Sequence, residues 1–482
     1  MSLVSVEFDQ SGSIPKYPEW YKGVRNEIIA STKEKRSEYR RILHNHLWKE
    51  FGYEPIELNY LREISFILSG SRGGSSIAID MLRQQAMSFG GNGKKILSLP
   101  GEQRPYFELA QFTPPFKESF SDKLNDKDTE NLSKTDTLLT ELLSEVGYPE
   151  AQTQDLMGFA ITIYGRFLLQ WPNINLGPAD EAIFKILEAV KTVSLVSPNS
   201  SLYVDNESSR ENLLQTIKSQ FPEIDLRFYD HLNNQSVSGG NFSSPRYDYF
   251  IEEPPFIIPS PWHFASKQEL ENSVLLLKDP SDAWRIPFWK KVFKNQNIAW
   301  LHLTRNVQES VNGLCDGWKF PYGYITTRSP KLLKVKGYTD NLLPWTQWYA
   351  NFSTSDTVWK LLLGGTEVDL EKIATIQWSD AHKVIIQEVG DKTNRLSFEW
   401  LRSNPKLAIS TICNNMDVEL TPSLLAAADR MKNKKVQVTP GTNADSNRWR
   451  VAANYESILT YTTEVDVANL SKELGYNKIT NL

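Results

Sequence analysis

Three cations in this chain stand where apolar runs end. Arg72 sits in Gly70-Ser71-Arg72-Gly73-Gly74-Ser75-Ser76, directly after Ile64-Ser65-Phe66-Ile67-Leu68. Lys278 follows Val274-Leu275-Leu276-Leu277, and Arg305 follows Ile298-Ala299-Trp300-Leu301-His302-Leu303-Thr304. The first segment then continues as Ile77-Ala78-Ile79-Asp80-Met81-Leu82, a helical pattern. Strand, glycine-rich turn and helix in that order form a nest of backbone N–H groups at a helix N-terminus, which binds phosphate or sulfate. Read more plainly, the same segment is a strand–helix turn with Ser75 as its N-cap. It is not the usual ATP-binding loop, which needs Lys directly before the Ser/Thr. Gly74 occupies that place, and the cation, Arg72, lies three residues before Ser75. The glycine spacing also differs from the dinucleotide fingerprint.

The elements that must position these residues follow from periodicity. Glu19 to Phe51 reads as a charged helical lead-in, and Ile64 to Phe89 as the first core unit. Ser119 to Asp136 is polar and charged, and reads as a surface connection. Helices are expected at Leu138–Val146, Thr153–Leu169, Ala179–Leu195, Glu207–Phe221 and Asp282–Phe293, and residues 340–389 read as helical. Strands are expected at Leu202–Val204, Leu226–Tyr229, Val274–Leu277, Ile298–Leu303 and Leu396–Trp400. Asn233 to Pro245, rich in Asn, Ser and Gly, reads as a mobile loop. Strand, helix and strand in turn predict an α/β chain with a parallel, doubly wound sheet. Ligands bind such sheets outside the carboxyl ends of the strands, where all three cations fall.

Composition narrows the class. The 482 residues carry a formal net charge of −5, which argues against a general nucleic-acid partner. The two cysteines, Cys315 and Cys413, supply neither a disulfide framework nor a Cys-based zinc site, which favours a reducing compartment. No run is apolar enough to span a bilayer, and the N-terminus lacks the basic and apolar segments of a signal peptide, so a cytoplasmic protein with no membrane partner is expected. His44 and His46 are two residues apart and fall on different helix faces, which argues against a metal pair.

Taken together, these segments resemble the 3′-phosphoadenylyl-sulfate (PAPS)-dependent sulfotransferases. Gly70 to Ser76 resembles their 5′-phosphosulfate loop, and Leu303-Thr304-Arg305-Asn306-Val307-Gln308-Glu309-Ser310 resembles their 3′-phosphate motif. Leu277-Lys278-Asp279-Pro280 is similar to their Lys-x-Pro turn. Thr439-Pro440-Gly441-Thr442 with Arg448-Trp449-Arg450 resembles the segment that closes over the cofactor. The resemblance covers residues 64–104 and roughly 273–476. It departs from the family pattern where Gly73 replaces a usual Ser, where no Pro precedes Arg72, and where Gly313 replaces the Ser eight residues after Arg305. The usual Arg-Lys before Gly441 is also missing.

The resemblance implies a P-loop-like parallel sheet flanked by helices, the sulfotransferase fold. The core would comprise 64–104 and 271–482, with a helical lead-in at 1–63 and a mostly helical insertion at 105–270 capping the acceptor site. PAPS would be the sulfuryl donor, with no metal, and a small-molecule hydroxyl or amine the acceptor. Arg72, Gly73, Gly74, Ser75 and Ser76 would hold the 5′-phosphosulfate, Arg72 balancing charge at the bridging oxygen. Arg305 would read the 3′-phosphate, with Ser310, Gly441, Arg448 and Trp449 around the nucleotide. Lys278 would reach the sulfuryl oxygens, and Glu102, after the first helix, would be the general base, unless it is a surface carboxylate paired with Arg104. His263 and Trp318 would line the acceptor pocket, while His302 and His382 read as structural. Two other readings compete: a P-loop kinase-like phosphotransferase or nucleotidase, and a non-catalytic nucleotide-binding protein of the same fold.

Overall fold

The computed structural model describes residues 19–54, 56–88, 93–112, 123–150, 153–170, 174–196, 207–224, 261–319, 335–336, 355, 357–358, 361, 367–390, 393–433 and 447–476. The expected strands at 202–204 and 226–229 and the loop at 233–245 lie outside them.

The first half contains helix α1 (Glu19–Phe51), strand β1 (Glu63–Leu68), α2 (Ser75–Leu82), β2 (Lys95–Leu97), α3 (Arg104–Leu109), α4 (Leu132–Leu143), β3 (Gly147–Pro149), α5 (Leu156–Gln170), α6 (Ala179–Val196) and α7 (Glu207–Gln220). The second half contains β4 (Trp262–Phe264), α8 (Lys267–Glu271), β5 (Ser273–Leu277), α9 (Ile286–Val292), β6 (Asn297–Thr304), α10 (Val307–Lys319), β7 (Val335–Lys336), β8 (Val368–Asp369) and α11 (Leu370–Val389). The chain then runs through β9 (Thr393–Ser397), α12 (Phe398–Ser403), α13 (Pro405–Met416), α14 (Pro422–Asn433), α15 (Tyr455–Thr462) and α16 (Val465–Glu473).

Five strands form one sheet in the order β2-β5-β1-β6-β9, every pairing parallel. β1 and β5 are apolar on both faces, as central strands covered by helices must be. Side-chain alternation divides the core. Phe66, Leu68, Leu275, Leu277 and Trp300 face α3, α4, α9 and α11. Ile67, Val274, Leu276, Leu301 and Leu303 face α2, α12, α13 and α14. The register sets Leu68 beside His302 and Thr304 beside Ser397, so the strand carboxyl ends share one edge. After β1 the sheet continues on the β5 side with β2, and after β6 on the opposite side with β9. The switch point of the sheet is therefore between β1 and β6, where ligands bind in folds of this kind.

α3 and α4 share a hydrophobic cluster with β1 and β5, although they begin the presumed insertion. The separate helical core is built from α1, α5, α6 and α7 with β4. α1, the helical lead-in, packs into that helical unit. A Cβ on Gly165 would overlap the Tyr39 ring, so a glycine is needed where α5 meets α1. Buried charges complete the junction: Glu145 accepts from Arg36 at 2.9 Å and from Arg166 at 3.2 Å, and Arg36 also pairs with Glu141 at 3.2 Å.

Two local expectations shift. The strand expected at 396–400 ends at Ser397, whose hydroxyl accepts from Trp400 N at 3.1 Å and starts α12. The helix expected over 282–293 is a 3-10 turn (Pro280–Trp284) followed by α9, Pro287 being at the start of the second helix. Among the described residues, no helix is long and apolar enough to cross a membrane.

Candidate anion-binding site at the carboxyl ends of the strands

The loop after β1 is tight. Gly73 N donates to Gly70 O at 3.0 Å, and Arg72 and Gly74 adopt left-handed conformations with φ of 64° and 91°. A Cβ on Gly74 would run into the Phe398 ring, so only glycine fits there. A Cβ on Gly73 would lie 2.9 Å from Gly70 O and 3.1 Å from Ser69 Cβ. That contact gives the departure at this position a physical reason, because a serine would press on backbone that has no room to yield. Ser75 and Ser76 open α2, so their N–H groups have no intrahelical acceptor and face the loop's concavity with the positive end of the helix dipole.

On the β5 side, Lys278 is 3% exposed. Its Nζ donates to Ser76 Oγ at 2.7 Å and also to Glu102 Oε1. Burial pushes the Glu102 carboxyl above its ordinary range, although Lys278 pulls the other way. The two turns carrying this pair are riveted together. Asp279 accepts from Arg104 N at 3.0 Å and from Ser281 N at 2.8 Å. Asp282 accepts from Gln103 Nε2 at 2.9 Å and Trp289 Nε1 at 2.8 Å, and burial with Asp279 nearby raises its pKa to about 7. Arg104 pairs with Glu108 at 3.0 Å, and its charge also pulls the Glu102 carboxyl downward.

On the β6 side, Arg305 Nη1 donates to Arg72 O at 3.0 Å, and its guanidinium lies 5.1 Å from the Phe398 ring centroid. Glu309, one turn along α10, pairs with Arg305 at 3.5 Å and accepts from Asn447 N. Arg72 turns toward this side as well, its Nε donating to Gly313 O at 3.1 Å. Ser310 lies one turn before Gly313 on α10, fully buried, its hydroxyl without a partner among the described residues. Ser69 Oγ, at the end of β1, is buried in the same condition. The loop is therefore flanked by two cationic subsites, one at Lys278 and one at Arg305.

No family model matches the chain, and no curated protein matches it. Among solved structures, the sulfotransferase domain from the curacin biosynthetic pathway superposes with a TM-score of 0.33 at 13% identity, covering 86% of this chain and 98% of that one. The sulfotransferase domain from the Synechococcus PCC 7002 olefin synthase superposes with a TM-score of 0.32 at 13% identity, covering 88% of this chain and 99% of that one.

Those residues divide into groups. Arg72, Gly73, Gly74, Ser75, Ser76, Glu102, Lys278, Arg305 and Ser310 come together around the loop. The turn after Asn447 meets α10 alongside them: Arg448 pairs with Asp316 at 3.1 Å. Trp449 is in the hydrophobic cluster with Val307, Val311 and Cys315, stacked on Tyr455 at 5.3 Å. Gly441 lies outside the described residues, as does the side chain of Trp318.

His263 is not brought to the cluster. It bonds to Tyr53 at 3.1 Å and to Glu150 and Glu269 at 3.3 Å, and Glu269 pairs with Lys95, the first residue of β2. Those partners tie it to the start of a strand, not to the ends that carry Arg72, Lys278 and Arg305. They hold its imidazole up at about 9 against the downward pull of burial. His46 pairs with Asp155 at 2.9 Å.

Sequence reasoning missed the partner of one histidine. His302 Nε2 and His382 Nδ1 are 2.8 Å apart, and a Cβ on Gly70 would lie 3.7 Å from His382 Nε2. Burial drives both imidazoles below their ordinary range, His382 to about 3, so the loop rests on a neutral pair. No sequence signal joins residues 302 and 382. The Asp279 clip was legible in part, since an Asp before Pro280 is a capping pattern.

Proposed function

We propose that the chain is a PAPS-dependent sulfotransferase acting on a hydroxyl or amine of a small molecule. The observation that carries this reading is the pair of cationic subsites flanking one loop. Lys278 is on its β5 side, bonded to Ser76, and Arg305 is on its β6 side, bonded to the loop carbonyl of Arg72. A nucleotide with separated anions, a 5′-phosphosulfate and a 3′-phosphate, matches two such subsites. The buried hydroxyls of Ser69 and Ser310, without partners among the described residues, fit the same ligand, since buried polar groups ordinarily have a hydrogen-bond partner.

PAPS supplies an SO₃ group carried on a phosphate leaving group. The residues do the rest by position and charge, as in phosphoryl transfer. The N–H groups of Ser75 and Ser76, with the Ser76 hydroxyl, hold the phosphate on which negative charge builds as its bond to sulfur breaks. Lys278, between Ser76 and Glu102, offsets charge on the sulfuryl oxygens. Glu102 takes the proton from the acceptor oxygen or nitrogen as that atom bonds to sulfur, and burial, by raising its pKa, makes it a stronger base. The helical unit of α1 and α5–α7 is the candidate for acceptor selection.

The experiment is to supply PAPS with a panel of phenols, alcohols and amines and to follow 3′-phosphoadenosine 5′-phosphate release. Release that Lys278→Met abolishes supports the reading. Magnesium-dependent turnover of ATP, with PAPS inert, would replace it with the kinase-like one.

A further inference from the structure

We propose that Arg72 is a ligand of the 3′-phosphate subsite, beside Arg305, where it fills the place that a serine at position 313 would take. The inference rests on the PAPS reading above and departs from the expectation that Arg72 serves the transferring end.

The argument starts at Gly313. This position lies on α10 eight residues after Arg305, where the resemblance to the sulfotransferases implies a hydroxyl. Arg72 lies directly against the helix at this glycine. A Cβ built on Gly313 would lie 3.4 Å from Arg72 Cβ, 3.8 Å from Arg72 Cγ and 3.9 Å from Arg305 Nη1. With no side chain in the way, Arg72 reaches α10 and its Nε donates to Gly313 O at 3.1 Å. Anchoring at Nε fixes the plane of the guanidinium against the helix. The backbone enforces the same direction. Arg72 is in the left-handed region at φ 64°, and Arg305 Nη1 holds its carbonyl at 3.0 Å.

Two arginines from different strand ends thus meet at the switch point of the sheet. Ser310, on the same helix one turn earlier, adds a buried hydroxyl without a partner among the described residues. A phosphate monoester, with up to two negative charges and three terminal oxygens, is the chemistry that two guanidinium groups and a hydroxyl recognise. On the other side of the loop, Lys278 is the cation that reaches Ser76, so the transferring end has its own positive charge. The departures at Gly73 and Gly313 then act as one device. A glycine at 73 allows the tight turn, and a glycine at 313 receives the arginine that the turn presents.

The test is calorimetric titration of the full chain with 3′-phosphoadenosine 5′-phosphate and, separately, with adenosine 5′-phosphate, which lacks the 3′ group. The unmodified chain should prefer the bisphosphate. Arg72→Ala should cut that preference by about 10-fold or more, the range for losing a charge-assisted hydrogen bond, while changing adenosine 5′-phosphate affinity less than about 3-fold. Gly313→Val leaves the loop sequence intact and fills the space against Arg72 Cβ, so it should produce the same selective loss even if Arg72→Ala folds poorly. Equal loss of affinity for both nucleotides in either variant would place Arg72 at the 5′ end and overturn the proposal, leaving the PAPS reading in place. No binding of the bisphosphate by the unmodified chain would overturn both.

Discussion

Lys278 Nζ donates to Ser76 Oγ at 2.7 Å, so a cation from the end of β5 touches the helix that closes the loop after β1. Ser76 is separated from Lys278 by 202 positions in sequence, and the parallel pairing of β1 with β5 brings them together. The same nitrogen donates to Glu102. One lysine therefore joins the phosphate-facing end of α2 to the candidate base, and the first prediction follows from that placement.

Lys278→Met should lower kcat about 100- to 1000-fold, the range for deleting one donor that meets developing charge. The KM for PAPS should change far less. With Glu102 as the proposed base, Glu102→Gln should also lower kcat and should remove the acidic limb of the pH–rate profile. Steady-state kinetics across pH checks both. A Glu102→Gln variant that keeps the full profile would exclude Glu102 as the base.

Gly74→Ala should break the loop rather than the fold. The new methyl would meet the Phe398 ring in a backbone conformation, φ 91°, that side chains rarely adopt. Strain and overpacking together should cost about 2–4 kcal/mol. Thermal denaturation reads the loss, and nucleotide binding should fail more completely than stability does.

His263 should make the protein less stable in alkali. Burial pulls its pKa down, but bonds to Glu150 and Glu269 hold it at about 9, above the roughly 6.5 of an unfolded histidine. A raised folded-state pKa means that the stabilisation is complete below about pH 6.5 and is lost as pH rises from there through about 9. Urea denaturation at pH 6, 7.5 and 9 measures the slope, and His263→Gln should flatten it. An unchanged slope in that variant would show that the charged imidazole contributes nothing to folding.

Glu145 ties α1 to α5 through Arg36 and Arg166, both fully buried. Burial raises its pKa, and the two arginines more than reverse this, so the carboxyl is held below its ordinary range. Glu145→Gln takes a buried anion away from two buried cations and should cost about 3–5 kcal/mol. Comparison of unfolding midpoints checks the value, and limited proteolysis should show α1 released first.

Much of the sheet was readable because a buried parallel strand is a short apolar run closed by polar residues. β1, β5 and β6 announce themselves in that way, and the cations at their ends follow. β2 was not readable. Its three residues, Lys95-Ile96-Leu97, carry too little pattern, and its place at the sheet edge is fixed by pairing with β5. The glycine-rich turn carrying Arg72 was legible, but the direction of Arg72 was not, because its Nε bonds to Gly313 O on another element. The surroundings of His263 were not legible either. A histidine between Trp262 and Phe264 looks like a pocket residue, and only the fold shows Glu150, Glu269 and Tyr53 already around it.

The central claim is that the two subsites flanking this loop hold a nucleotide with both 5′ and 3′ anions. A thermal-shift titration with 3′-phosphoadenosine 5′-phosphate, beside ATP and NAD, tests it most directly. The account predicts stabilisation by the bisphosphate alone, lost in Arg305→Ala. No response to the bisphosphate, or an equal response to ATP, would contradict it.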